Sequence, residues 1–103
     1  TTPAQLPNHF QVYQMYSITL PDKQTRDSLK QFLSQNGIMS KVYFMPVHLK
    51  TIFTKHYGYK VGDLPITEDL SDRVLNIPLY PGMSTQEREQ LVSTIEKYFE
   101  GRT

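Results

Sequence analysis

The run from Gly37 to His48, G-I-M-S-K-V-Y-F-M-P-V-H, sets two aromatic residues, Tyr43 and Phe44, just ahead of Pro46 and His48, with Lys50 two residues on. An imidazole can exchange a hydrogen bond with a ligand, and a nearby ammonium group can meet a phosphate. Each residue also has a plain structural account. Strand aromatics usually pack a core, a proline ends a strand, and a lone histidine is more often a satisfied or surface side chain than a ligand contact. Their clustering at one strand end beside a basic loop is what points to a binding site.

Other chemistries find fewer residues. No cysteine is present, and no serine stands in a Gly-x-Ser-x-Gly turn, so nucleophilic hydrolysis lacks its nucleophile. His9, His48 and His56 do not share the i, i+4 spacing of a metal-binding helix. The glycines are scattered, without the Gly-x-Gly-x-x-Gly or Gly-Lys-Thr patterns that cradle phosphate. Tyr13, Tyr16, Tyr43 and Phe44 are aromatic strand candidates, yet the ribonucleoprotein motif with its Arg or Lys, Gly and spaced aromatics is missing, so nucleic acid is not an expected partner.

The elements that must position the cluster follow from periodicity. Residues 1–10, with Pro3 and Pro7, read as a connecting arm, and 11–103 as a single domain. Val12, Gln14, Tyr16, Ile18 and Leu20 alternate as a strand does, until Pro21 stops it. Asp22 caps a helix running to about Asn36, with Leu29, Phe32 and Leu33 on one face and Gly37 ending it. A second strand is expected over Ile38 to Phe44 and a short helix over Leu49 to Tyr57, ended by Gly58. After a loop over Tyr59 to Pro65, Thr67 is the expected cap of a helix over Glu68 to Arg73. Leu75 to Tyr80 reads as a strand that Pro78 keeps short or at an edge. Ser84 and Glu87 form a capping box for a last helix whose apolar face is Leu91, Val92, Ile95, Tyr98 and Phe99. The order predicts an α+β fold with a small, mainly antiparallel sheet of three or four strands covered by helices.

The chain has 103 residues, the size of one domain, and a nearly neutral balance of 11 basic and 10 acidic side chains. No global field draws it to nucleic acid or an anionic membrane, and no apolar run approaches the length of a membrane span. Charge is nonetheless uneven. Ser28 to Gly62 holds five lysines and no carboxylate, whereas Asp63 to Thr103 holds eight carboxylates against four basic residues. Neutralisation across the folded domain is the simple account, and a basic rim beside a phosphate-bearing ligand the sharper one. The absence of cysteine fits a cytoplasmic setting. A start at Thr-Thr-Pro rather than Met suggests a processed product or a domain taken from a longer protein.

The motifs G-I-x-S-x-V-Y-F-x-P-V-H-L, P-I-T-E-x-L-S-x-R-V-L-x-I-P-L-Y-P and S-x-Q-E occur in one order. Together with V-Y-Q-M-Y-S-I and Arg26-Asp27 upstream, they make the chain resemble the C-terminal part of the DegT/DnrJ/StrS family of pyridoxal-phosphate-dependent sugar aminotransferases. The likeness runs from Gln11 to about Phe99. It implies the small domain of a fold-type I enzyme, packed against a large domain of the same chain that holds the cofactor and its Schiff-base lysine. The full protein would transfer an amino group from glutamate or glutamine to a nucleotide-linked keto sugar, as a homodimer, in polysaccharide or amino-sugar biosynthesis. No lysine here is then the imine lysine, no residue is catalytic, and the 103 residues alone bind no cofactor and are inactive.

The resemblance assigns substrate contacts to His48, to Tyr43 and, through charge, to Lys50. Many members have His-Tyr where Tyr43-Phe44 stands, a proline at Met45, and histidine at Gln11 or Gln14, which implies a different sugar or a regulatory member. The alternative from the residues themselves is a freestanding ligand-sensing or protein-interaction module built on the same α+β layer.

Overall fold

Asp22 and Ser84 begin the two helices on which the fold is built. A computed structural model describes residues 1–102. The Asp22 carboxylate accepts the Thr25 N–H at 2.6 Å, and helix α1 runs over Lys23–Gln35. Gly37 then turns the chain with φ of 75°, in the left-handed region that suits glycine. At the other end, Ser84 Oγ accepts the Glu87 N–H and the Glu87 carboxylate accepts the Ser84 N–H, the reciprocal pair expected for α4, Thr85–Glu100. Leu29 and Leu33 of α1 are fully buried and meet Leu91 and Tyr98 of α4, together with Ile18, Leu20, Ile38 and Leu75. Tyr98 fastens the two helices further, its hydroxyl donating to the Thr25 carbonyl at 3.3 Å.

One side of this core is closed by an antiparallel pair, β1 (Tyr16–Thr19) and β2 (Val74–Ile77), with Ile18 opposite Leu75. The α+β class and the antiparallel sense are as expected, but the sheet has two strands among the described residues rather than three or four. β1 is also shorter than predicted, because Tyr13 has φ of 44° and Val12 and Gln14 face solvent. The backbone of Thr1 exchanges two hydrogen bonds with Thr19, so the arm lies along β1.

The expected strand over Ile38 to Phe44 reduces to one bridge, in which Lys41 and Asn76 exchange both backbone hydrogen bonds at 3.0 and 2.8 Å. Hydrogen-bonded antiparallel pairs recur every second residue, so a longer ladder would next pair Met39 with Pro78 and Tyr43 with Val74. Pro78 has no N–H to give. The Val74 N–H already donates to Leu70, and its carbonyl accepts from the buried Arg26 guanidinium at 3.3 Å. Both continuations are blocked.

Beyond Pro46 the chain makes a single 3-10 turn, Val47–Leu49, then α2 (Thr51–Tyr57), stopped by Gly58 in the left-handed conformation. α3 spans Pro65–Arg73. It begins two residues before Thr67, since Pro65 occupies the first helical position, where a missing N–H costs nothing. Thr67 therefore lies inside the helix and is not its cap. Arg26, 5% exposed, joins α1 to the end of α3 through the Ser71 carbonyl at 3.1 Å. On α4, Leu91 and Tyr98 are buried and Ile95 packs against the core as expected, whereas Val92 and Phe99 are 50% and 40% exposed and Thr94 takes an inner position. No helix among the described residues is long and apolar enough to cross a membrane.

Candidate functional site

Pro46 turns the chain out of the sheet region, and the 3-10 turn it opens drives His48 inward. The Leu49 and Lys50 amides donate to the Pro46 and Val47 carbonyls at 3.0 Å, which fixes the backbone around the ring. His48 is only 6% exposed. Its Nε2 donates to Glu68 Oε2 at 3.3 Å, the Tyr59 ring meets it edge-to-face with centroids 5.9 Å apart, and Nδ1 is buried with no hydrogen-bond partner among the described residues.

Glu68 is the hub of this arrangement. Its two oxygens accept the Gly62 N–H at 2.9 and 3.1 Å, and Oε2 also accepts the Leu64 N–H at 3.1 Å. The Gly62 N–H foremost, then Leu64 and His48, hold its carboxyl below the usual glutamate range. A carboxylate near the start of α3 is also favoured by the helix dipole. The loop before α3, the turn after Pro46 and α3 itself are thereby joined at one side chain.

Tyr43 lies elsewhere. It lines an open cavity of about 550 Å³ between β2, the bridge segment and the start of α4, with Tyr16, Lys41, Asn76, Tyr80 and Glu87 also on its wall. The Lys41 ammonium stands 5.8 Å from the Tyr43 ring centroid, a cation–π distance. Tyr80 hydrogen-bonds Glu87, which raises the phenol's pKa and contributes to lowering the carboxylate's, after the larger effect of the Ser84 amide. His48 and Lys50 do not line this cavity. The structure therefore separates the three expected contacts: Tyr43 half-buried at the cavity, His48 enclosed beside Glu68, and Lys50 exposed at the start of α2.

Sequence reasoning singled out His48 but not Glu68, which is its partner across 20 residues. The available signal was a glutamate shortly after Gly62-Asp63-Leu64-Pro65, placed to receive the amides of a glycine loop. Asn76 and the Tyr80–Glu87 pair were missed as cavity residues for the same reason, being distant in sequence from Tyr43; Lys41, two residues before it, was also missed.

Every lysine of the chain is exposed. Of these only Lys41 reaches the cavity, and the one carboxylate there, Glu87, is committed to the Ser84 amide. These residues do not fit pyridoxal phosphate, which needs an enclosed lysine for its imine and a free carboxylate for its ring nitrogen. Among the described residues no cluster of three or more His, Cys, Asp or Glu could hold a metal ion.

Comparison with known proteins gives one consistent result. Residues 1–96 match the sequence profile described as the DegT/DnrJ/EryC1/StrS aminotransferase family. A pleiotropic regulatory protein of Geobacillus stearothermophilus is 31% identical over 99 residues, covering 95% of this chain and 26% of that protein. GDP-perosamine synthase of Vibrio cholerae is 31% identical over 74 residues, 72% of this chain and 20% of the enzyme. The crystal structure of a DegT DnrJ EryC1 StrS aminotransferase from Brucella abortus superposes with a TM-score of 0.80 at 32% identity, over 94% of this chain and 25% of that one. The chain thus spans about a quarter of the length of these relatives.

Proposed function

Because the chain belongs to the DegT/DnrJ/EryC1/StrS aminotransferase family, whose members depend on pyridoxal phosphate, we propose that it is the C-terminal small domain of a sugar aminotransferase. The complete enzyme transfers an amino group from glutamate or glutamine to a nucleotide-linked keto sugar. The observation that carries this reading is the extent of the match: residues 1–96 fit the family, and 95% of this chain aligns with only 26% of the G. stearothermophilus relative. The name of the V. cholerae relative, a GDP-perosamine synthase, supports a nucleotide-linked sugar as substrate.

In this reading residues 1–10 connect to a large domain of the same polypeptide that supplies the cofactor lysine, and 11–103 form one wall of the sugar site. Tyr43 and Lys50 offer accessible groups to the sugar nucleotide, an aromatic face and an ammonium charge. His48 is enclosed away from Tyr43 and acts through the turn after Pro46, which it holds against Glu68 two residues before Lys50. The enzyme is cytoplasmic and a homodimer when complete, and these residues alone have no transferase activity.

The test is to express the complete reading frame, supply pyridoxal phosphate, glutamate or glutamine in turn, and a panel of nucleotide-linked keto sugars, and to follow formation of the amino sugar by mass spectrometry. Product from the complete protein and none from the 103-residue chain is the expected result. Turnover by the 103-residue chain alone, or no amino-sugar product from the complete protein with any sugar or either donor, overturns the reading.

A further inference from the structure

Cross-strand pairing sets three polar residues in a row. Ser17 of β1 stands opposite Asn76 of β2, and Asn76 stands opposite Lys41 of the bridge segment. Residues directly opposite one another share a face of a sheet, and successive residues alternate between faces. Since Ile18 and Leu75 face the core, the Ser17–Asn76–Lys41 row belongs to the other face, away from α1 and α4.

Asn76 is only 7% exposed, yet its amide is half used. Ser17 Oγ donates to Asn76 Oδ1 at 2.5 Å, which occupies the oxygen end, whereas Nδ2 has no hydrogen-bond partner among the described residues. A donor left unpaired at so buried a position is costly unless something arrives to accept from it. Next to it, the Lys41 ammonium has no ion-pair partner among the described residues. Its contact with the Tyr43 ring, 5.8 Å from the centroid, places the charge without using its N–H groups. Asn76, Lys41 and Tyr43 all line the open cavity of about 550 Å³.

What Lys41 and Asn76 leave unpaired is therefore donors, the complement of a group that only accepts, such as a phosphate or a carboxylate. Glu87 is the one other charged residue on the cavity wall, and its carboxylate is taken by the Ser84 amide and the Tyr80 phenol at the start of α4. Size separates the two anions. The cavity lies within the roughly 300–1,000 Å³ of sites that enclose drug-sized molecules, the scale of a nucleoside diphosphate rather than of glutamate. Tyr16, Tyr43 and Tyr80 add ring surfaces to its wall.

We propose that Lys41 and Asn76 bind the diphosphate of the sugar nucleotide in this cavity. This deepens the sugar-nucleotide reading, on which it rests, by adding a phosphate-binding pair on the sheet, separate from Lys50 at the start of α2.

Calorimetric titration of the complete protein with UDP, GDP, CDP and dTDP, and with the corresponding nucleosides, tests it. At least one diphosphate should bind about tenfold or more tightly than its nucleoside. Lys41→Met keeps the aliphatic stem and should weaken that diphosphate about tenfold, leave nucleoside and cofactor affinity unchanged, and flatten the loss of affinity with added salt. Lys41→Arg should restore most of the binding. Asn76→Asp has nearly the same shape but replaces the free donors with an acceptor, and should weaken the diphosphate further. Lys41 is exposed, so its variants decide the matter even where Asn76→Asp fails to fold. In amino transfer, Lys41→Met should raise KM for the sugar nucleotide and not for glutamate.

Affinity of Lys41→Met within about twofold of the parent overturns the proposal, as do nucleosides that bind as tightly as diphosphates, equal losses in the Met and Arg variants, or no diphosphate binding at all. A KM increase confined to glutamate also overturns it, because the bound anion is then the donor's carboxylate. Amino transfer to a sugar nucleotide whose binding ignores Lys41 removes this site and keeps the aminotransferase reading. Lys41-dependent diphosphate binding by a protein without transferase activity keeps the site and removes that reading.

Discussion

Glu68 concentrates three jobs on one side chain: it receives the Gly62 and Leu64 amides and holds His48 in place. Amide donors favour its ionised form, so its folded pKa lies below the ordinary value of 4.5. The unfolded chain then binds the extra proton first as pH falls. Stabilisation from this carboxylate is complete above about 4.5 and is lost as pH drops through the lower folded value. The Gly62 and Leu64 amide resonances are therefore expected to shift together on acidification below pH about 4.5 and to lose exchange protection by about tenfold. In Glu68→Gln the acid transition should vanish, since an amide keeps acceptor capacity but does not titrate; an unchanged transition would place the titrating group elsewhere. His48→Ala removes the ring that Glu68 and Tyr59 enclose. In the complete enzyme it should raise KM for the sugar nucleotide several-fold while leaving the cofactor's absorbance and affinity unchanged. Equal sugar affinity in variant and parent would show that the turn after Pro46 keeps its shape without the imidazole.

The elements differ in how far their own residues determine them. α1 and α4 carry their signals locally: Asp22 and the Ser84–Glu87 box at their starts, and Leu29, Leu33, Leu91 and Tyr98 at helical spacing. Leu29→Ala, at a fully buried position, should cost about 2–5 kcal/mol, and Ser84→Ala, which removes one half of a cap, about 1 kcal/mol. Urea unfolding of the complete protein checks both, and the two costs should add, because the sites share no partner. These elements were legible in the sequence for the same reason that such substitutions are interpretable. The expected strand from Ile38 to Phe44 was not, because its fate rests on Pro78 and on what Val74 bonds, both more than thirty residues away. Val92 and Phe99 fit the helical period of α4 yet face solvent, since period assigns a stripe but not its width, and Thr94 takes an inner position. Pro65 outweighed Thr67 as the start of α3, a competition visible in the sequence and resolved by the preference of proline for the first helical turn. Of the candidate site, the residue types at 43, 48 and 50 could be read, but their separation into a cavity, a buried clasp and an exposed helix start needed the three-dimensional arrangement.

At the scale of the whole molecule, two bodies of unequal self-sufficiency share one chain. The α1–α4–sheet body holds every residue of the apolar core, from Ile18 to Tyr98, while the Phe44–Leu70 lobe holds none. Hydrogen exchange should expose that division. In the isolated 103-residue chain, α1, α4 and the β1–β2 pair should exchange only by global opening, whereas amides of α2 and the first turns of α3 should exchange at least about tenfold faster, through local opening. The same measurement on the complete protein reads whether residues outside these 103 add protection to the lobe. Lobe amides in the isolated chain as slow as those of α1 would mean that Glu68 and His48 suffice to hold the lobe, and that its exposed Phe44, Ile52, Tyr57 and Ile66 serve something other than folding. Lobe amides that remain fast in the complete protein would mean that the surface stays open there too, available to a ligand rather than closed by a neighbouring domain.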